Sequence, residues 1–146
     1  EFFTAMTGVI LDAGGTLDKY IGDCVMALFG APVPAEGDVQ RAVDAAIHMQ
    51  REVARLNAKI RVGIGIHTGR AVVGNIGSEQ RMQYTAIGDT VNVAARLVRF
   101  AEPGQVIVSE DVRNAAEGTF QPLGEVELKG RQGKMNIYSL EWDDKL

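Results

Sequence analysis

The chain has one cysteine, Cys24, so no disulfide can form within it, and that usage suits a reducing compartment. It has two histidines, His48 and His67, too few and too scattered for a zinc site, and neither belongs to a recognisable nucleophile triad. Basic charge is scarce: 15 Lys and Arg stand against 19 Asp and Glu, a net −4 that excludes a strongly cationic nucleic-acid surface. No apolar run approaches the roughly 20 residues that cross a bilayer. No basic start precedes an apolar stretch in the manner of a signal peptide. Repeats and low-complexity tracts are absent too. What is present is 146 residues, 46% hydrophobic, enough to build the core of one compact domain. The excess is in glycine, 17 residues, in a chain where an average share is about 7%.

Phe2, Phe3, Met6, Val9, Ile10 and Ala13 follow helical spacing, with Gly14 placed for a left-handed stop. No capping residue or initiator methionine precedes that face, so we expect the chain to be cut inside a longer helix. Leu17–Ile21 and Cys24–Phe29, joined by Gly22-Asp23, predict a tight antiparallel hairpin ended by Pro32 and Pro34. Residues 38–57 carry an amphipathic helical stripe. Ile60, Val62, Ile64 and Ile66 alternate with Arg61, Gly63, Gly65 and His67, which predicts a half-buried strand. Its glycines would let another backbone or a ligand come close. A second strand follows over 71–76, and 77–83 read as a polar loop. A helix opens at Asp89-Thr90 and ends before Pro103-Gly104. A short strand (105–108), a small helix after Ser109, and closing strands at 120–128 and 135–140 complete the chain. The expected fold class is α/β, an α+β sandwich with mixed, largely antiparallel pairing.

Familiar nucleotide motifs fail. Gly63-Ile64-Gly65-Ile66-His67-Thr68-Gly69 lacks dinucleotide-binding spacing, and Gly130-Arg131-Gln132-Gly133-Lys134 lacks the length and hydroxyl of a P-loop. Three other features carry possible chemistry, each with a plainer reading beside it. Asp23 at a hairpin tip could present a carboxylate to a hard divalent cation, or simply serve the turn. Lys19, four positions earlier, could accompany it or be a solvated charge. Asn92 and Arg96 lie four apart near a helix N-terminus, an arrangement suited to developing phosphate charge, or a surface polar pair. Lys129-Gly130-Arg131 could bring a cation to a ligand, or be an ordinary basic turn.

Together the segments Gly15-Thr16-Leu17-Asp18-Lys19-Tyr20-Ile21-Gly22-Asp23, Gly65-Ile66-His67-Thr68-Gly69, Gly88-Asp89-Thr90-Val91-Asn92-Val93-Ala94-Ala95-Arg96-Leu97 and Val126-Glu127-Leu128-Lys129-Gly130 resemble the catalytic domain of class III nucleotidyl cyclases, bacterial adenylate cyclases in particular. The segments occur in family order across nearly the whole chain. The resemblance implies a ferredoxin-like, palm-type sheet with helices packed on it. It implies cyclisation of a nucleoside triphosphate, the ribose 3′-hydroxyl attacking the α-phosphate as pyrophosphate leaves. Two divalent ions, Mg²⁺ or Mn²⁺, serve each site in that family. Asp23 matches one of the family's two metal aspartates, and Lys19 and Thr85 match the base-reading pair. Lysine donates to adenine N1 but meets a donor at guanine N1, so Lys19 implies ATP. Asn92 matches the ribose-orienting residue, Arg96 the stabiliser of α-phosphate charge, and Lys129 a ligand of the terminal phosphates. The family's sites are shared across a head-to-tail homodimer, so the implied partners are ATP and a second copy of this domain. Regulatory or sensory domains would lie elsewhere in a parent protein. The domain is expected in the cytoplasm, without membrane contact of its own and without nucleic acid.

One part of the family pattern is missing. Nothing matches the first strand, with its Phe-x-Asp-Ile-x-Gly-Phe-like stretch and second metal aspartate; Asp12 and Asp18 are poor substitutes. Residues 1–146 are therefore expected to be a single catalytic domain lacking that strand and the helix after it, with an unpaired sheet edge. A lone metal carboxylate binds cations weakly, so an active chain would prefer Mn²⁺ to Mg²⁺. The other readings are an impaired fragment or a non-catalytic dimerisation or regulatory module. A diguanylate cyclase relative ranks lower, because the hairpin tip reads Ile21-Gly22-Asp23-Cys24.

Overall fold

The computed structural model of the chain describes residues 2–21, 24–30, 34–56, 59–69, 72–76, 83–127 and 134–142, with the side chains of residues 2, 19–21, 72–76 and 83–87 outside that description. In chain order the elements are α1 (Phe2–Asp12), β1 (Thr16–Ile21), β2 (Cys24–Leu28), α2 (Asp38–Leu56), β3 (Ile64–Ile66), β4 (Val72–Ile76), β5 (Gln83–Ile87), α3 (Asp89–Leu97), β6 (Val106–Ser109), α4 (Glu110–Ala115), β7 (Phe120–Glu127) and β8 (Lys134–Leu140). A 3₁₀ turn, Val98–Phe100, extends α3.

The main sheet has four strands in the order β3-β6-β8-β7, parallel between β3 and β6 and antiparallel elsewhere. Its central strand β6 is apolar and buried at Val106, Ile107 and Val108, as a strand covered on both faces requires. The strand's alternation divides the core in two. Val106 and Val108 pack with Val43 and Ala46 of α2, Val112 of α4 and Leu140 of β8. Ile107 packs with Val93 and Leu97 of α3 and with Met135 and Ile137 of β8. Helices thus cover both faces, which is the expected mixed α/β sandwich. Burying each of the Val, Ile, Leu and Met side chains contributes about 1.5–3 kcal/mol. The strand pairs β1-β2 and β4-β5 form antiparallel ribbons that, among the described residues, share no ladder with the main sheet.

Two expectations need correction. The strand expected from Ile60 pairs only from Ile64, and Ile60 is exposed. Before that point the backbone meets a turn instead of a strand: the Val62 carbonyl accepts from Gly104 N (2.9 Å) and from the Gln50 amide (3.0 Å). Conversely, residues 84–87 carried no expected element, and Gln83–Ile87 is a strand paired with β4 that takes in the last residue of the expected loop. The predicted hairpin is found with its register Tyr20 opposite Val25, while its tip, residues 22–23, lies outside the described residues. The pairing register shifts at a bulge between Leu17 and Lys19.

The sheet's outer strand β7 is exposed from Gln121 to Glu125 and carries Pro122, a bulge before Gly124, and the acids Glu125 and Glu127. At the other side, β3 pairs with β6 alone among the described residues. The chain after β8 is fastened by Trp142, whose indole N–H donates to the Gly104 carbonyl at 2.9 Å. On the outer face of α2, Arg55 forks onto Glu52 at 3.2 and 2.8 Å and holds that carboxyl below its ordinary value. The pair is solvated and contributes little to stability. No described helix is long and apolar enough to cross a membrane.

Gln50 is buried in α2 with its amide donating to Val62 O (3.0 Å) and Gln105 O (3.3 Å), where the β3–β6 pair begins. Replacing it with Leu preserves volume but strips both carbonyls of a donor. Each carbonyl keeps one backbone donor, from Gly104 N and Ile64 N, so Gln50→Leu is expected to lower unfolding stability by about 0.5–1.5 kcal/mol, read from urea denaturation.

Candidate functional site: the sheet-seated helix and its hairpin neighbours

Helix α3 begins after Gly88, whose carbonyl accepts from Asn92 N at 3.2 Å. Val93 and Leu97 point into the core, which turns Asn92 outward and leaves Arg96 half-buried. Four residues apart, the two share one side of the helix. The helix can sit this way because β3 offers it almost no side chains. A Cβ on Gly65 would lie 2.9 Å from the Ala94 carbonyl oxygen and 2.9 Å from Val98 N, so helix backbone rests directly on strand backbone. The sequence expectation of a close approach is met here by α3 itself.

The segment after β3 is gripped from two sides. A Cβ on Gly69 would lie 2.7 Å from the Thr90 hydroxyl in the first turn of α3. His67 Nδ1 lies 2.7 Å from Oγ of Ser109, which also accepts from Val112 N at 3.4 Å as the N-cap of α4. Sequence reasoning marked this glycine-rich segment but missed Thr90 and Ser109 as its partners. The Gly65/Gly69 spacing was an available signal for close packing on α3. The His67–Ser109 contact joins residues 42 apart and leaves no local trace.

Lys19 lies on β1 opposite Met26, and Thr85 lies on β5 opposite Gly74. Strand β5 touches both β1 and α3, so the elements bearing Lys19, Thr85 and the Asn92–Arg96 pair are neighbours. Asp23 and Lys129 fall outside the described residues. Among the described residues, no group of three His, Cys, Asp or Glu side chains could hold a metal ion.

Residues 1–142 match the family described as the adenylate and guanylate cyclase catalytic domain. The chain belongs to the class III nucleotidyl cyclase family. Adenylate cyclase 1 of Rhizobium meliloti (strain 1021) is 34% identical over 152 residues, which cover 96% of this chain and 23% of that protein. The chain thus spans about a quarter of that curated relative. Among solved structures, the guanylyl cyclase Cya2 matches with TM-score 0.89 at 34% identity, covering 97% of this chain and 77% of that one. The adenylyl cyclase CyaB from P. aeruginosa matches with TM-score 0.87 at 31% identity, covering 97% and 79%. The cyclase fold expected from the ordered motifs is the fold found.

The contact under Gly65 is with backbone, which cannot swing aside as a side chain can. In this cyclase domain Gly65→Ala is therefore expected to lift the C-terminal half of α3 and destabilise by about 1–3 kcal/mol, measured as a lowered thermal midpoint.

Proposed function

We propose that this cyclase domain is an adenylate cyclase, converting ATP to 3′,5′-cyclic AMP and pyrophosphate at a site shared between two copies. The observation that carries the reading is the adjacency of β1, β5 and α3, the elements bearing Lys19, Thr85, Asn92 and Arg96. Lys19 would donate to adenine N1, and the Thr85 hydroxyl would accept from the exocyclic amine. Asn92 would orient the ribose so that its 3′-oxygen faces the α-phosphate. Arg96, a rigid and permanently charged fork, would stabilise charge as it grows on the α-phosphate oxygens in the transition state. Lys129 would hold the terminal phosphates. Bound divalent ions, Mg²⁺ or Mn²⁺, would supply activation of the 3′-hydroxyl and neutralisation of phosphate charge, with Asp23 as one ligand. Residues 1–146 would be the greater part of one such catalytic domain.

Overall similarity does not separate ATP from GTP, since the solved relatives include a guanylyl and an adenylyl cyclase at nearly equal identity. The preference for ATP leans on Lys19. Lys19→Glu is expected to reduce kcat/KM for ATP by about 100-fold and to raise turnover of GTP, followed by chromatography of the two cyclic products. Undiminished use of ATP would remove Lys19 from base reading. Arg96→Ala is expected to lower kcat by about 10²–10³-fold.

The shared site makes a further demand. The family pattern takes Asp23 from one copy and Arg96 from the other, which separates Asp23 from its chain neighbour Lys19. Equal amounts of Asp23→Ala and Arg96→Ala chains should then recover about a quarter of wild-type cyclase activity. Half of the dimers would be mixed, and each mixed dimer would hold one intact site of two. A mixture as inactive as either variant alone counts against a shared site.

A further inference from the structure

Alternation along β3 and β6 sorts their residues between the two faces of the sheet. Ile64, Ile66, Val106 and Val108 pack on the side of α2 and α4, while Gly65 and Ile107 lie on the side of α3. Ile66 pairs with Val108 in parallel register, so the next positions, His67 and Ser109, return to the α3 side where both strands end. Ile137, the cross-strand partner of Ser109, belongs to the same half of the core as Val93 and Leu97.

Helix α3 runs antiparallel over this segment. A Cβ on Gly63 would meet Ala101, one on Gly65 would meet Ala94 and Val98, and one on Gly69 would meet Thr90. In the chain His67 stands between the Ala94 and Thr90 contacts, alongside the turn that carries Asn92. The N-cap of that turn is Gly88, at φ +129°, and glycine has no side chain to bond the first N–H groups of the helix. Tertiary contacts therefore carry more of its position.

His67 is itself fixed from the other side. Its Nδ1 lies 2.7 Å from Oγ of Ser109, a residue with no exposed surface, whose hydroxyl also accepts from Val112 N at 3.4 Å. A hydrogen bond on a buried hydroxyl is shielded from competing water. Val112 packs α4 against the opposite half of the core. One hydroxyl thus joins the cap of a helix on one face of the sheet to the segment that supports a helix on the other.

We propose that His67 is a positioning residue: its bond to Ser109 fixes the 67–69 segment against the first turns of α3, and through them the aim of Asn92. The segment leads on to β4, whose first residue, Val72, pairs with Ile87 just ahead of Gly88, so the chain enters and leaves the β4-β5 pair at the same place. A shift of about 1 Å in a group that orients substrate costs up to about 100-fold in rate. His67 acts on the reaction through Asn92.

The structural half of the proposal stands on the contacts above; its bearing on the ribose rests on the adenylate cyclase reading. The test compares wild type with His67→Phe, which keeps a ring and loses the bond, and with His67→Asn, which keeps a polar atom near the place of Nδ1. Asn92→Ala is added alone and in combination with His67→Phe. Hydrogen exchange reads the helix, and kcat and KM for cyclic AMP formation read the site. His67→Phe should speed exchange of the 92–95 amides by about 10-fold while the β8 amides keep wild-type rates. Its kcat should fall by about 10-fold with KM for ATP within about twofold of wild type, and His67→Asn should recover most of both losses. In the Asn92→Ala background His67→Phe should lower kcat by no more than about twofold further, because the group it positions is gone. Ser109→Ala breaks the same bond from the other side and should speed the same amides, which keeps the test decisive if His67→Phe folds poorly. Exchange that rises uniformly, or that stays at wild-type rates over 92–95, overturns the brace. A 10-fold loss that persists in the Asn92→Ala background, or that His67→Asn does not recover, overturns the positioning role. If Asn92→Ala keeps wild-type kcat, or wild type forms no cyclic AMP, the adenylate cyclase reading fails and takes the bearing on the ribose with it, while the exchange data still decide the brace.

Discussion

The structure depends on one close contact, the backbone of α3 and of the turn after it lying on the backbone of β3 at Gly65, with the Val98 side chain beside it. That spacing lets Val93 and Leu97 reach Ile107, Met135 and Ile137 and close the second half of the core. Once those residues are buried, the helix can no longer rotate, and Asn92 and Arg96 share its other side by the geometry of a four-residue step. A larger residue at position 65 would separate helix from sheet and loosen that hydrophobic contact together with the aim of the polar side. Core stability and the presentation of charge are in this way two results of the same packing.

The molecule is mechanically uneven. Helix α3 is held by buried side chains against the main sheet, whereas Lys19 and Thr85 sit on two-stranded ribbons outside its ladders. Arg96, proposed to meet the α-phosphate, is therefore carried on a helix fixed by buried side chains, and the groups proposed to meet the base are carried on two-stranded ribbons. Charge stabilisation in a transition state requires donors already in place. Recognition of a planar base tolerates more adjustment.

Much of the architecture was legible in the sequence because it follows from local rules. The stop at Gly14, the stripe over residues 38–57 and the capping of α4 by Ser109 each depend on chemistry within a few residues. The failures were non-local. Ile60 to Gly63 alternate as a strand would, yet β6 begins too late to pair with them, and the Val62 carbonyl goes to Gly104 and Gln50 instead. Gln83–Ile87 has a mild strand signal and is a strand because β4 lies opposite. The Asp38–Arg41 pair is visible as a helical i,i+3 step, but nothing in the sequence says that it covers the two glycines flanking a hairpin. The ordered motifs located the candidate residues, and packing supplied the reason for Gly65 and Gly69.

The two sides of the main sheet are treated differently. Strand β7 carries a proline, a bulge and acidic side chains, the devices that keep one sheet from annealing to another. Strand β3 has none of them: it is three residues long, with two isoleucines around one glycine. Among the described residues, pairing beyond β7 is discouraged by its proline, bulge and charges, whereas at β3 the protection comes from brevity: a strand of three residues offers a further chain very few backbone groups.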